Sequence, residues 1–287
     1  MLLVLFAVLI SGLRLMLPYA ENYRVNVENY INETYQSNVS IGSLSMGWHK
    51  IGPVLIANNV NLINEEAVHF TIDSVDIRLD FWRSLLTQKV ITEKFILTGA
   101  SLVLDKPALL NKRSNQQTTQ QSSSIKPASS DAPVLEGLAD LFYDQIARFS
   151  LIDSKVVVNN GQRQRTFLIS QLNWLNIDKR RVAKADVIVD GLTSNNIKLQ
   201  LDVTGNNSRD ISGTLYLKGN NLNITPWLDK VLAIENEKTG SSINLSAWLT
   251  IKNGLAKQLQ LSFDNSDISW HHQNVKQSFA LNKGQIL

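Results

Sequence analysis

The chain has 287 residues, enough for one large domain or two ordinary ones with a sizeable core. Its formal net charge is only +3, and the Lys and Arg residues are scattered among Asp and Glu, a weak electrostatic footprint for nucleic acid. With no Cys there is no disulfide framework, thiolate nucleophile or thiolate metal site.

Met1 to Leu17 is an apolar run interrupted by Ser11, Gly12 and Arg14, with Pro18 where a helix would stop. Leu2, Leu3, Leu5, Phe6, Leu9, Ile10, Leu13 and Leu17 carry the expected membrane anchor, residues 1–18. Crossing ~30 Å of hydrocarbon takes about 20 residues, so the start of the full protein is expected upstream. A cleaved signal peptide is the rival. It fits less well, because no Lys or Arg precedes the apolar run and Pro18-Tyr19-Ala20 is a poor cleavage exit. Arg14 sits where its side chain can snorkel to the headgroups. Glu21, Arg24, Glu28 and Glu33 give no basic excess after the run, which places the rest of the chain outside the cytoplasm under the positive-inside rule. The expected location is a bacterial inner membrane, single-pass, with the bulk of the chain in the periplasm.

Tyr23, Val27, Tyr30, Ile31 and Thr34 recur at helical spacing, so Ala20 to about Gln36 is expected as a short helix near the membrane or against the first strands. From Val39 the period changes to two. The side chains expected on one dry face are Val68, Phe70, Ile72, Val75, Ile77, Leu79, Leu102, Leu104, Val156, Val158, Phe167, Ile169, Leu172, Trp174, Val187, Val189, Leu199, Leu201, Leu215, Leu217, Leu245, Leu249, Leu259 and Leu261. Alternation sustained this long gives strands with one wet and one dry side.

Two breaks recur. The longer separates apolar residues by four positions, as in Leu55-IANN-Val60, Leu97-TGAS-Leu102, Leu151-IDSK-Val156, Leu217-KGNN-Leu222 and Phe263-DNSD-Ile268. The shorter leaves two positions, as in Ile41-GS-Leu44, Ile72-DS-Val75 and Ile169-SQ-Leu172. A tight hairpin or a bulge within one strand is compatible with either, and both keep successive segments on a common apolar side. Phe81 to Lys89 is expected as a turn of helix between strands. Val134 to Phe149 carries Leu135, Leu138, Phe142, Ile146 and Phe149 at helical spacing and is expected to cap the sheet. Residues 111–133 are poor in apolar side chains and are expected as a disordered loop between a first β unit (19–110) and a helix plus second β unit (134–287).

The expected fold is therefore mainly β: an N-terminal transmembrane helix followed by an extended, curled antiparallel sheet with a few short capping helices. Its dry face holds roughly two dozen apolar side chains, each worth ~1.5 to 3 kcal/mol of burial, so something must cover it. A second sheet or self-closure is one answer. An open groove filled by acyl chains is the other, and tethering beside a bilayer favours it.

Catalytic and metal readings find no support. His271 and His272 are adjacent on a strand and point to opposite faces, and His49 and His69 lack an HExxH or carboxylate setting. No GxSxG, GxGxxG or P-loop string occurs. Of the six tryptophans, Trp174 and Trp270 are in phase with the dry face and Trp248 is on the wet side. The reading is of a protein without cofactor or enzymatic activity.

The run VSIGSLSMGWHKIGPVLIANNVNL (Val39 to Leu62), the stretch VDIRLDFWRSLLTQKVITEKFILTGASLVLDK (Val75 to Lys106), and QLNWLN, TPWL and AWLTIKNG resemble the AsmA-like superfamily, nearest to its YhdP branch. The resemblance implies an inner-membrane-anchored, periplasm-spanning protein of repeating β-groove units that conducts phospholipid toward the outer membrane, with membrane lipids and other envelope proteins as partners and no catalytic residues. Members are several-fold longer, and FALNKGQIL stops within an alternating strand, so the chain is expected to be an N-terminal fragment. The alternative is a membrane-tethered β-sandwich scaffold or envelope assembly factor without lipid transport.

Overall fold

A computed structural model describes residues 11, 17–35, 38–49, 52–64, 68–88, 91–105, 146–161, 164–189, 197–205, 210–224, 241–272 and 275–286. The chain is mainly β and divides into two compact units, Met1–Gln164 and Arg165–Leu287. Most of the expected anchor and residues 111–133 lie outside the described residues, as do residues 134–145 of the expected capping helix. Among the described residues no helix is long and apolar enough to cross a membrane.

In the first unit a 3-10 helix (Leu17–Tyr23) runs into α1 (Arg24–Tyr35), followed by β1 (Val39–His49), β2 (Gly52–Asn64) and β3 (Val68–Leu79). Next come α2 (Phe81–Thr87), β4 (Thr92–Thr98), β5 (Ser101–Asp105) and β6 (Arg148–Asn159). β1, β2 and β3 form an antiparallel meander, and β3 pairs with both β4 and β5. The expected antiparallel order fails once: β6 runs parallel to β4 and β5. Residues 106–147 separate β5 from β6, and only a connection of a dozen residues or more lets neighbouring strands run parallel. Phe149, expected in a helix, lies in β6 opposite Phe95. Ile146 is buried just before that strand.

The recurrent breaks are not hairpins. In the first unit each lies inside a strand or, at Gly99 and Ala100, between two strands in line, and all lie on one line across the sheet. Ile41 faces Val60 and Ser43 faces Asn58, which puts Gly42 opposite Asn59. Asn58 faces Ser74 and Val60 faces Ile72, which puts Asn59 opposite Asp73. Ser74 faces Thr98 while Thr71 faces Ser101, so β4 and β5 are one strand interrupted at Gly99 and Ala100. Thr98 pairs with Ile152 and Ser101 with Lys155, which sets Gly99 beside Asp153. Asn59, Gly99 and Asp153 have φ of 52°, 67° and 48°. One left-handed residue shifts the alternation by one position, so apolar side chains at 55 and 57, then at 60 and 62, share a face. Ile41, Leu44 and Ala57 accordingly form one core with Val39, Leu55, Val60 and Val75. Asn, Asp and Gly are the residues that tolerate this conformation. The backbone groups freed there are satisfied: the Ser154 hydroxyl accepts the Ala100 amide at 3.2 Å and donates to the Ile152 carbonyl at 3.0 Å.

The second unit is a meander of β7 (Gln164–Ile177), β8 (Arg180–Val189), β9 (Ile197–Thr204), β10 (Ser212–Asn223), β11 (Ser242–Lys252), β12 (Leu255–His272) and β13 (Val275–Leu281). β14 (Gly284–Ile286) pairs with β12. Here the phase changes by bulges. Ile169 faces Val187 but Gln171 faces Asp186, so Ser170 is the extra residue. β10 and β12 likewise slip between Gly219 and Leu222 and between Asp264 and Asp267. At the last, the Ser266 hydroxyl accepts the Asn244 amide at 2.9 Å and donates to the Asp264 carbonyl at 2.6 Å. β11 and β12 meet in an Asn253-Gly254 turn with φ of 51° and 70°, the mirror-image turn that matches strand twist.

The 3-10 helix and α1 close the free edge of β1 with side chains. Glu21 accepts the Leu44 amide at 2.7 Å and Glu28 accepts the Ile41 amide at 2.6 Å. Arg24 donates to the Ile41 carbonyl at 3.0 Å, and Asn32 both donates to the Val39 carbonyl at 3.0 Å and accepts its amide at 2.6 Å. Unpaired edge groups otherwise template strand addition.

A Cβ at position 99 would lie 2.9 Å from the Asp73 Cβ on a left-handed backbone, so Gly99→Ala should lower stability by ~2 kcal/mol in urea unfolding of the full chain. The Glu21 carboxyl is held below its ordinary 4.5, first by the Leu44 amide and then by Arg24. A carboxyl depressed on folding contributes stability above its unfolded pKa and loses it as pH falls through the folded value. Hydrogen-exchange protection of the Leu44 amide should therefore drop as the pH is taken down from 4.5, and Glu21→Gln should flatten that dependence.

Candidate functional site

Strand register brings the alternating apolar residues together. In the first unit Leu44, Ala57, Val75, Leu97 and Leu151 form one row, and Met46, Leu55, Ile77, Phe95 and Phe149 form the next. Beyond the phase-change line, Leu62, Phe70, Leu102 and Val156 continue the same face, and Val68, Leu104 and Val158 form a further row. At about 4.8 Å per strand, a five-strand row is about 19 Å wide.

The second unit repeats the arrangement. Phe167 faces Val189, and Ile169, Val187, Ile197, Gly219 and Leu245 line up across the strands. Leu172, Ala185, Leu199, Leu217, Ala247 and Leu261 form a second row, and Trp174, Ala183, Leu201, Leu215, Leu249 and Leu259 a third. The opposite face carries Asn173, Lys184, Gln200, Tyr216, Trp248 and Gln260 in register. Trp248 stacks there on Tyr216 with ring centroids 5.1 Å apart.

These faces are covered unevenly. Ile72, Val187 and Val189 are buried, and Leu259 is 49% exposed. The remaining predicted face residues whose side chains are described are half-buried. Ala185, Val187, Val189, Ile197 and Leu222 pack into a local core, flanked by Phe167, Ile169, Leu172, Leu199 and Leu217. In the first unit Val27 of α1 packs on the margin of the face beside Ile41 and Leu44. Among the described residues the second unit contains no helix, and neither unit lays a second sheet over its apolar rows. The rows of the second unit end at a polar seal: Arg181, opposite Asn176 and Val203, is buried and donates to the Lys179 and Gly205 carbonyls.

The sequence pattern put Leu44, Leu97 and Leu151 beside breaks on the common apolar side and missed Ala57, which lies inside the break between Leu55 and Val60. No group of His, Cys, Asp and Glu able to hold a metal occurs among the described residues.

The model of the YhdP protein family matches residues 1–287. The chain belongs to the YhdP family. It is 27% identical over 256 residues to the intermembrane phospholipid transporter YhdP of Escherichia coli (strain K12), an alignment covering 88% of this chain. That alignment takes in 19% of the relative, so the chain spans a small part of the YhdP length it matches. Within the family frame the apolar rows stand as the extended feature common to both units, while the charges lie outside them. Arg180 and Asp202, for example, form a two-point pair at 2.9 and 2.6 Å with both side chains at the surface.

The uneven cover predicts a split in stability. Val187, at 8% exposure in the local core, has no countercharge opposite it, so Val187→Asp should cost ~3 kcal/mol or more in denaturant unfolding. Leu259→Asp, on the same face but half in solvent, should stay within ~0.5 kcal/mol of the parent.

Proposed function

We propose that this chain is the membrane-proximal part of a phospholipid conduit, in which residues 1–18 are the anchor and the apolar rows of both units carry acyl chains. The observation that supports it is the register itself: unbroken transverse apolar rows, mostly half-buried, with no second layer of described residues upon them. A sealed sandwich would bury such rows from both sides. The name of the Escherichia coli relative, an intermembrane phospholipid transporter, points the same way.

Each methylene laid on the face contributes ~0.8 kcal/mol, so an acyl chain with about ten methylenes in contact gains about 8 kcal/mol. The attraction is non-directional, which lets a chain slide from row to row without crossing a specific binding step. The zwitterionic or anionic headgroup remains in water beside the trough, where it keeps its hydration. No covalent step is involved, and no residue has a catalytic part.

Native mass spectrometry of the full chain after mild detergent extraction is expected to find bound phospholipid. Leu201→Asp and Leu259→Asp should each reduce it several-fold while leaving the circular dichroism spectrum unchanged. Protein that emerges free of lipid, or substitutions that unfold the domain uniformly, would reject the conduit in favour of a tethered scaffold.

A further inference from the structure

The helix α2 has no buried residue. The Asp80 carboxylate caps its first turn by accepting the Arg83 amide at 3.0 Å, and the Ser84 hydroxyl ties it to the residue before β4 by accepting the Ile91 amide at 2.9 Å. Phe81 packs against Trp48 at the end of β1, with ring centroids 5.7 Å apart. The other side carries Trp82, Leu85 and Leu86, spaced i, i+3, i+4, which join into one stripe on a helix. Their exposures are 43%, 51% and 83%. Packing needs do not explain an apolar stripe turned outward, and contiguous exposed apolar surface marks an interaction site.

Where the chain enters the fold identifies the partner. Asn32 bonds Val39, Glu28 bonds Ile41 and Glu21 bonds Leu44, so tracing back through α1 toward the N-terminus leads along β1 toward Trp48. The apolar run Met1 to Leu17 therefore joins the fold at the end that carries α2. Arg83 on the helix is largely in solvent, and Arg78 faces Lys94 across β3 and β4 near the same end, against Asp76, Asp80 and Glu93. The charges around the stripe balance, and a tryptophan with two leucines exposed at the end where the apolar run enters is suited to the boundary between headgroups and acyl chains.

We propose that α2 is an interfacial foot: Trp82, Leu85 and Leu86 seat in the outer surface of the same bilayer that holds residues 1–18, placing the first apolar rows against the lipid. This rests on the anchor assigned above, and the test separates the two. The chain has no cysteine, so single cysteines at Leu86, Leu9 and Thr71 can each carry an environment-sensitive fluorophore. Thr71 is exposed on the polar face of β3 and serves as the aqueous reference. The full chain is reconstituted in vesicles of phosphatidylethanolamine and phosphatidylglycerol, with and without brominated acyl chains.

The Leu86 label is expected to be quenched by brominated lipid about threefold or more beyond the Thr71 label, and to be shielded from iodide. Leu85→Asp combined with Leu86→Cys should reduce that lipid quenching while the Leu9 label stays quenched. A Leu86 label as open to iodide as Thr71, with Leu9 in lipid, would overturn the foot and leave the anchor standing. Shielding from iodide without lipid quenching would point to a protein partner and overturn it as well. If the Leu9 label also lies in water, both the anchor and the foot fail.

Discussion

A β-strand alternates its side chains with a period of two, and a sheet keeps one face apolar only if every strand that changes phase does so in step with its neighbours. A slip in one strand alone would turn its leucines and valines into water. The first unit meets this constraint by putting Gly42, Asn59, Asp73, Gly99 and Asp153 in one transverse line, so that all its strands shift together and no hydrogen-bonded register is lost. The second unit meets it differently, by inserting single residues in β7, β10 and β12 where the neighbouring strand keeps its phase. Either way the outcome is a continuous apolar surface, and the functional reading depends on that continuity.

The polar chemistry of the breaks follows from the same constraint. A strand that turns its phase leaves amides and carbonyls unpaired, and in a half-buried sheet each unpaired group costs ~1 to 3 kcal/mol. Ser154 and Ser266 answer this in the same manner, each hydroxyl accepting from an amide on the next strand and donating to a carbonyl two residues earlier. Short Asp, Asn, Ser and Gly motifs in otherwise apolar strands are thus devices for turning a strand without orphaning its backbone.

Much of this was readable from residue pattern. The period-two runs marked strands, from Phe70 and Ile72 through Leu215 and Leu217, because alternation is a local signal. The short helices after Ala20 and Phe81 were legible for the same reason, and so was the wet-side placement of Trp248 beside Tyr216. Pairing was not legible, since it depends on residues far apart in the chain. Nothing near Leu97 announces Leu151 as its parallel neighbour. Phe149 illustrates a conflict of periods: it stands three residues after Ile146, as on a helix, and two before Leu151, as on a strand, and the β4 partner decides in favour of the strand. The role of the two N-terminal helices was hidden too, because Glu21, Arg24 and Glu28 count in the sequence only toward a charge balance, and their partners on β1 are set by the fold.

The side-chain seal on β1 also gives the sheet a polarity. With Val39, Ile41 and Leu44 already bonded to Glu21, Arg24, Glu28 and Asn32, no incoming strand can dock there without first displacing the helix. Two copies are thereby prevented from zipping together along that margin into a ribbon. The helix is the stopper of that margin, and the sheet is left with a closed side at β1.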